Sequence, residues 1–114
     1  MNVGKLNKVE FSITIIDDIE PNSIVSASFS VKAAAKDSNF KMIAHTGRAV
    51  SKLSIKNEKG SNIGKKLISK VRNNDGTINW EYSTSVSTSG ERVLSVIAND
   101  IPETAVMLPI IIVQ

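Results

Sequence analysis

Apolar residues recur at every second position along most of this chain, and spacings of three and four are hard to find. That period belongs to strands, whose successive side chains point to opposite faces. In residues 9–15, Val9, Phe11, Ile13 and Ile15 share one face, while Glu10, Ser12 and Thr14 share the other. Residues 25–33 give the clearest case: Val25, Ala27, Phe29, Val31 and Ala33 point one way, Ser26, Ser28, Ser30 and Lys32 the other. Such a strand predicts a sheet with one dry face and one wet face. Ala49, Ser51, Leu53 and Ile55 predict another strand, and Ile78, Trp80 and Tyr82 line one face of a further one. Around Val93, Leu94, Val96, Ile97 and Ala98 the chain is almost continuously apolar. This predicts a central strand with both faces at least partly covered. Residues 105–113 supply a last strand, which Pro109 should confine to an edge or a bulge.

The connections carry turn chemistry. Asn73-Asn74-Asp75-Gly76 predicts a tight turn, because Asp-Gly and Asn-Gly pairs accept positive φ readily. Asn57 to Asn62 and Thr88-Ser89-Gly90 read as further turns, and Gly47 closes a less regular stretch. Within that stretch, Ala33-Ala34-Ala35-Lys36 fits a helical turn and Phe40-Lys41-Met42-Ile43 an edge strand. Residues 65–73 alternate apolar and basic side chains, as suits an exposed edge where lysines discourage pairing with other chains. Seven or eight short antiparallel strands are expected, with turn signals every ten residues or so, the pattern of a sandwich or barrel. No crossover helices lie between the strands, which excludes a parallel α/β sheet.

A chain of 114 residues fits one domain, 1–114, with a single modest core. Aromatic residues are only 4%, so the core must be aliphatic, with Trp80, Tyr82, Phe11, Phe29 and Phe40 as its large anchors. There is no cysteine, which removes disulfides, thiolate catalysis and cysteine-ligated metals. The net charge of +3 is spread over 14 basic and 11 acidic residues without a continuous cationic block, a pattern of soluble surfaces rather than of nucleic-acid footprints. No apolar run reaches the roughly 20 residues that span a bilayer as a helix. The chain stops inside a strand-like run at Ile110 to Val113, so a piece of a longer exported protein is expected.

Three segments carry a resemblance. They are Val50-Ser51-Lys52-Leu53-Ser54-Ile55-Lys56-Asn57-Glu58-Lys59-Gly60, Asp75-Gly76-Thr77-Ile78-Asn79-Trp80-Glu81-Tyr82, and the stretch from Ser89-Gly90-Glu91-Arg92 to Ala98-Asn99-Asp100. Together they resemble the immunoglobulin-like domains of bacterial modular surface proteins. In those domains a strand ends at an Asn-x-x-Gly turn, a Gly-Thr-x-x-Trp strand supplies the core tryptophan, and a Gly-x-Arg strand pairs centrally. The resemblance spans about half of the chain. It implies an immunoglobulin-like β-sandwich and carries no functional residues with it. The disulfide cysteines of antibody-type domains are absent, as is a corner tyrosine in residues 91–99.

Chemistry-bearing groups are few. His45 is the only histidine, which rules out sites needing two, and beside Thr46-Gly47 it reads as a loop residue. Acids gather at Asp17, Asp18 and Glu20 and again at Asp100 and Glu103; oxygen ligands so close together suit calcium, and solvated loops equally contain them. Lys65, Lys66, Lys70 and Arg72, with Lys52 and Lys56, offer a basic face for acidic glycans or wall polymers, or simply a solvated edge. Trp80 and Tyr82 share parity with Ile78 and belong in the core rather than on a sugar-stacking platform. Gly60 and Gly64 lack the Gly-Lys-Ser/Thr ending of a phosphate loop.

The function expected is therefore a non-catalytic structural or adhesive module of a bacterial surface or secreted protein, without cofactor or metal. Its partners would be neighbouring domains, another surface protein or a glycan, with no nucleic acid and no membrane insertion. A carbohydrate-binding accessory domain of a larger enzyme and a phage or virion structural domain are the alternatives.

Overall fold

The computed structural model describes residues 19–114, so the expected strand at residues 9–15 lies outside them. The described residues form an all-β fold. Its strands are β1 (Ile24–Phe29), β2 (Ala33–Ala35), β3 (Phe40–Thr46), β4 (Leu53–Lys56), β5 (Lys65–Arg72), β6 (Ile78–Thr84), β7 (Gly90–Ala98) and β8 (Val106–Val113). They make two four-stranded sheets, ordered β1-β3-β6-β5 and β2-β8-β7-β4. The pairings are antiparallel except for β2 with β8, which run parallel. A short 3-10 turn, Pro102–Thr104, joins β7 to β8.

The alternation decides which side chains meet between the sheets. From the first sheet come Phe40, Met42 and Ala44 of β3 and Ile78, Trp80 and Tyr82 of β6, all buried. The second sheet sends in Leu53, Ile55, Leu94, Val96, Ala98, Ile110 and Ile112. Each large side chain buried this way contributes about 1.5–3 kcal/mol. Register follows: the β3 row Met42, Ala44, Thr46 stands opposite the β6 row Tyr82, Trp80, Ile78. One residue of slip between the two strands would turn one of these rows out to water.

Turn chemistry fixes that register. At residues 73–77 the Gly76 amide donates to the Asn73 carbonyl and the Asn73 amide to the Thr77 carbonyl. Gly76 has φ +91, a backbone state that only glycine adopts without strain. The Asp75 carboxylate accepts from the Thr77 hydroxyl at 2.5 Å and from its amide at 2.9 Å, closing an Asx-type turn.

Four sequence expectations are corrected. Residues 25–33 are not one strand. The Ser30 amide makes the last bond to the first sheet, at the Lys41 carbonyl, and the Lys32 carbonyl makes the first to the second, from the Ile111 amide. The chain changes sheets across Val31, so Val25 and Val31 stay exposed while Ile24, Ala27 and Phe29 face the core. A bulge between Ile24 and Ser26 shifts the parity. Second, Ala33–Ala35 is a strand beside β8 instead of a helical turn. Third, β3 lies between β1 and β6 and is interior, not an edge, with Phe40, Met42, Ala44 and Thr46 all buried. Fourth, Ser51 lies outside β4, in a loop whose Val50 turns inward.

Pro109 is the instructive case, because β8 is not at an edge. It pairs with Val93, whose amide turns away from β8 to the Glu58 carboxylate at 2.9 Å. No ladder bond at that rung therefore needs the missing proline N–H. On the other side β2 begins pairing only at Ile111. At residue 109 the strand is locally an edge, and the proline costs nothing there.

Candidate interaction surface

The two sheets present unlike faces to solvent. On the first, β3 sends out Lys41, Ile43 and His45, and β6 sends out Asn79, Glu81 and Ser83. Lys41 and Glu81 form an ion pair at 3.0 Å across these strands. That face mixes polar side chains with exposed apolar ones: Ile43 near its middle, Val71 of β5 beside Asn79, and Val25 and Ile68 at the bulges of β1 and β5.

On the second sheet the residues between the core-facing ones are apolar too. From β8 come Met107, Pro109, Ile111 and Val113, all exposed. Val93 and Ile97 stand beside them on β7, and Ala33 and Ala35 on β2. Met107 is 64% exposed, Ile111 49% and Val93 43%. The charges at the face are Lys56 of β4, Glu91 of β7 and, beside Val93, Glu58, which is paired with Arg92; Lys56 and Glu91 have no ion-pair partner among the described residues. Between β4 and β7 the face dips into an open cavity of about 330 Å³, with Val93, Ile97 and Met107 on its apolar side and Lys56, Glu58 and Ser95 on its polar side. β7 is central, as its apolar run required, yet its outer side is only half covered: Ser95 and Ile97 are partly buried, Glu91 and Val93 exposed. The exposed apolar residues of this face are contiguous across adjacent strands.

The residues singled out from sequence fall elsewhere. His45 is corrected from loop to strand: it points outward from β3, paired with Asn79 and Ser26, and its Nε2 is buried without a partner. Asp17 and Asp18 lie outside the described residues. Asp100 is committed to Lys52 at 2.5 Å, and this hydrogen bond, with the same ammonium's charge, holds its carboxyl below the usual range. Among the described residues no three His, Cys, Asp or Glu side chains converge in a group that could hold a metal.

The basic residues of β5 do not form one face. Lys65 and Lys70 turn inward over the rings of Tyr82 and Trp80, at 5.5 and 4.7 Å from the centroids. Arg72 donates to the carbonyls of Arg48 and Gly76. Lys66 points to the opposite side from Lys65. β5 is an edge strand, as its lysines predicted. Trp80 and Tyr82 are buried and stacked, with ring planes 9° apart, and the indole N–H donates to the Thr46 hydroxyl at 2.8 Å. Burial raises the Tyr82 phenol pKa above its ordinary value.

Two features were missed by sequence reasoning. Asn99, at φ +53, ties three loops together: its side-chain oxygen accepts from the amides of Ser51 and Lys52, and its NH₂ donates to Asn22 and the Ala49 carbonyl. Glu58 continues the sheet where β4 stops, accepting from the Val93 amide and from Arg92. An Asn just after a strand, and a Glu in the Asn57–Gly60 turn, were the available signals. Each equally suits a solvated turn. No protein-family model matches the chain, and no curated protein matches it significantly.

Proposed function

We propose that this chain is a non-catalytic structural and interaction module, an immunoglobulin-like sandwich that works in a bacterial surface or secreted protein and docks through the outer face of its second sheet. The observation that carries the reading is that face: Val93, Met107, Ile111 and Val113, exposed together on adjacent strands. The strand order supports the immunoglobulin-like assignment. The sequence positions 1-3-6-5 and 8-7-4 reproduce the two sheets of that sandwich, with the short β2 added beside the last strand. The glycan-binding alternative would place an aromatic platform in solvent, and the stacked pair Trp80–Tyr82 is in the core.

The test is binding of an apolar dye such as anilinonaphthalenesulfonate at low micromolar protein. Dye fluorescence should rise with the native chain and fall with Ile111→Asp, while Ile43→Asp on the first sheet leaves it unchanged. Equal loss from both substitutions, or no dye binding at all, removes the reading.

A further inference from the structure

We infer that the partner of this apolar face is the same face of a second copy, in a two-fold dimer; this rests on the docking reading above. The register of the outer rows sets how two copies would meet. Val93 and Pro109 face each other across β7 and β8, midway along the apolar rows. Ser95 and Met107 form the next outward rung on one side, Glu91 and Ile111 on the other. Lys56 stands beside Ser95 on β4.

A two-fold axis lying in the contact plane, across the strands at the Val93–Pro109 rung, exchanges the two flanking rungs. Met107 of each copy then rests on Ile111 of the other, and Val93 meets Val93. Glu91 of one copy arrives where Ser95 stands on the other, directly beside Lys56. The two uncommitted charges of the face thus become two symmetry-related ion pairs, while Glu58, at the Val93 rung, keeps its bonds to Arg92 and the Val93 amide. A tilt of the axis by about 15° accommodates the roughly 30° between aligned packed sheets. The face spans four strands about 4.8 Å apart and about 20 Å along β8, about 400 Å² per copy, so the contact falls below the roughly 1,200 Å² of standard specific interfaces and in the range of weak, transient ones. The dimer is accordingly concentration-dependent, with a Kd expected between about 10 μM and about 1 mM.

Sedimentation velocity of the full chain across that range tests it. The native chain should pass from monomer to dimer. Val93→Asp should abolish association, because the axis sets the two carboxylates against each other in an apolar contact. Lys56→Glu or Glu91→Lys alone should each weaken the dimer about tenfold, since two like-charge contacts replace two ion pairs. The double reversal should restore it, and Ile43→Asp should change nothing. A strict monomer overturns the proposal, as does a dimer that survives Val93→Asp or ignores the charge reversals. Association insensitive to the reversals but lost in Phe11→Asp overturns it in favour of the alternating segment at residues 9–15 as the occupant. The dye assay separates the two claims. A monomer that binds dye through Ile111 keeps the docking face and loses the dimer; a monomer that binds none loses both.

Discussion

The two sheets solve the same packing problem with different distributions of polarity. The first buries polar groups and shows a mixed face: Thr46, Thr84, Trp80 and Tyr82 face the core, and Lys41, Asn79 and Glu81 face water with Ile43 and Val71 scattered among them. The second is aliphatic inside, with Leu53, Ile55, Leu94, Val96 and Ile112, and largely aliphatic outside. Its polar commitments sit at its rim, in Glu58, Arg92 and Asn99. A sheet whose outer residues are charged has finished its burial when the sandwich closes. A sheet whose outer residues remain apolar has not, and on the second sheet those residues stand together on adjacent strands.

The sharpest way to break this contrast is on one strand of the second sheet. Leu94 and Val93 are neighbours on β7, one fully buried and the other outward. Leu94→Ala leaves a void between the sheets and should lower unfolding free energy by about 2–5 kcal/mol in urea titrations. Val93→Ala in the monomer should stay within about 0.5 kcal/mol of the parent. Comparable losses at both positions would mean that the outer face is already covered within the monomer, and the contrast between the sheets would collapse.

The first sheet is probed through its buried polar pair. Thr46→Val keeps the shape of the side chain and removes the acceptor of the Trp80 indole N–H. The orphaned donor should cost about 1–3 kcal/mol. Thr46→Ser, which keeps the hydroxyl, should recover most of it. If valine is as stable as threonine, the hydroxyl is incidental and both sheets rest on apolar packing alone.

The inner rows of this fold were legible in the sequence, because an alternating strand with one apolar face has only one way to bury it. Ile78, Trp80 and Tyr82, the turn at residues 73–77 and the exposed lysine edge all follow from that rule. The change of sheet at Val31 was not legible, since the apolar alternation of the sequence runs on evenly to Ala33 while the core-facing residues switch from Ala27 and Phe29 to Ala34; the hydrogen bonds of Ser30 and Lys32 mark the crossing. Pro109 misled for a related reason. A proline's cost depends on which way the opposite amide points, and Glu58 takes that amide from a loop 35 residues away. The apolar outer face of the second sheet was half legible. The run around Val93 to Ala98 announced that both sides of β7 want cover, while the chain itself covers one.

The rim of the second sheet gives the smallest effect. The Val93 amide, together with Arg92, holds the Glu58 carboxyl down to about 2 from an ordinary 4.5. A carboxyl depressed in the folded chain binds its proton more weakly there than in the unfolded chain. The stability it adds is therefore complete above about 4.5 and drains away as pH falls towards 2. Glu58→Gln should lower the melting temperature modestly at pH 7, since the carboxylate is exposed and solvent weakens its pairing. The gap between variant and parent should shrink from pH 4.5 to pH 2. Asp75 and Asp100 are depressed too, so the parent also loses stability in acid through them. What isolates Glu58 is the difference curve. A gap that stays constant across this window would show that Glu58 serves the second sheet only as a neutral acceptor.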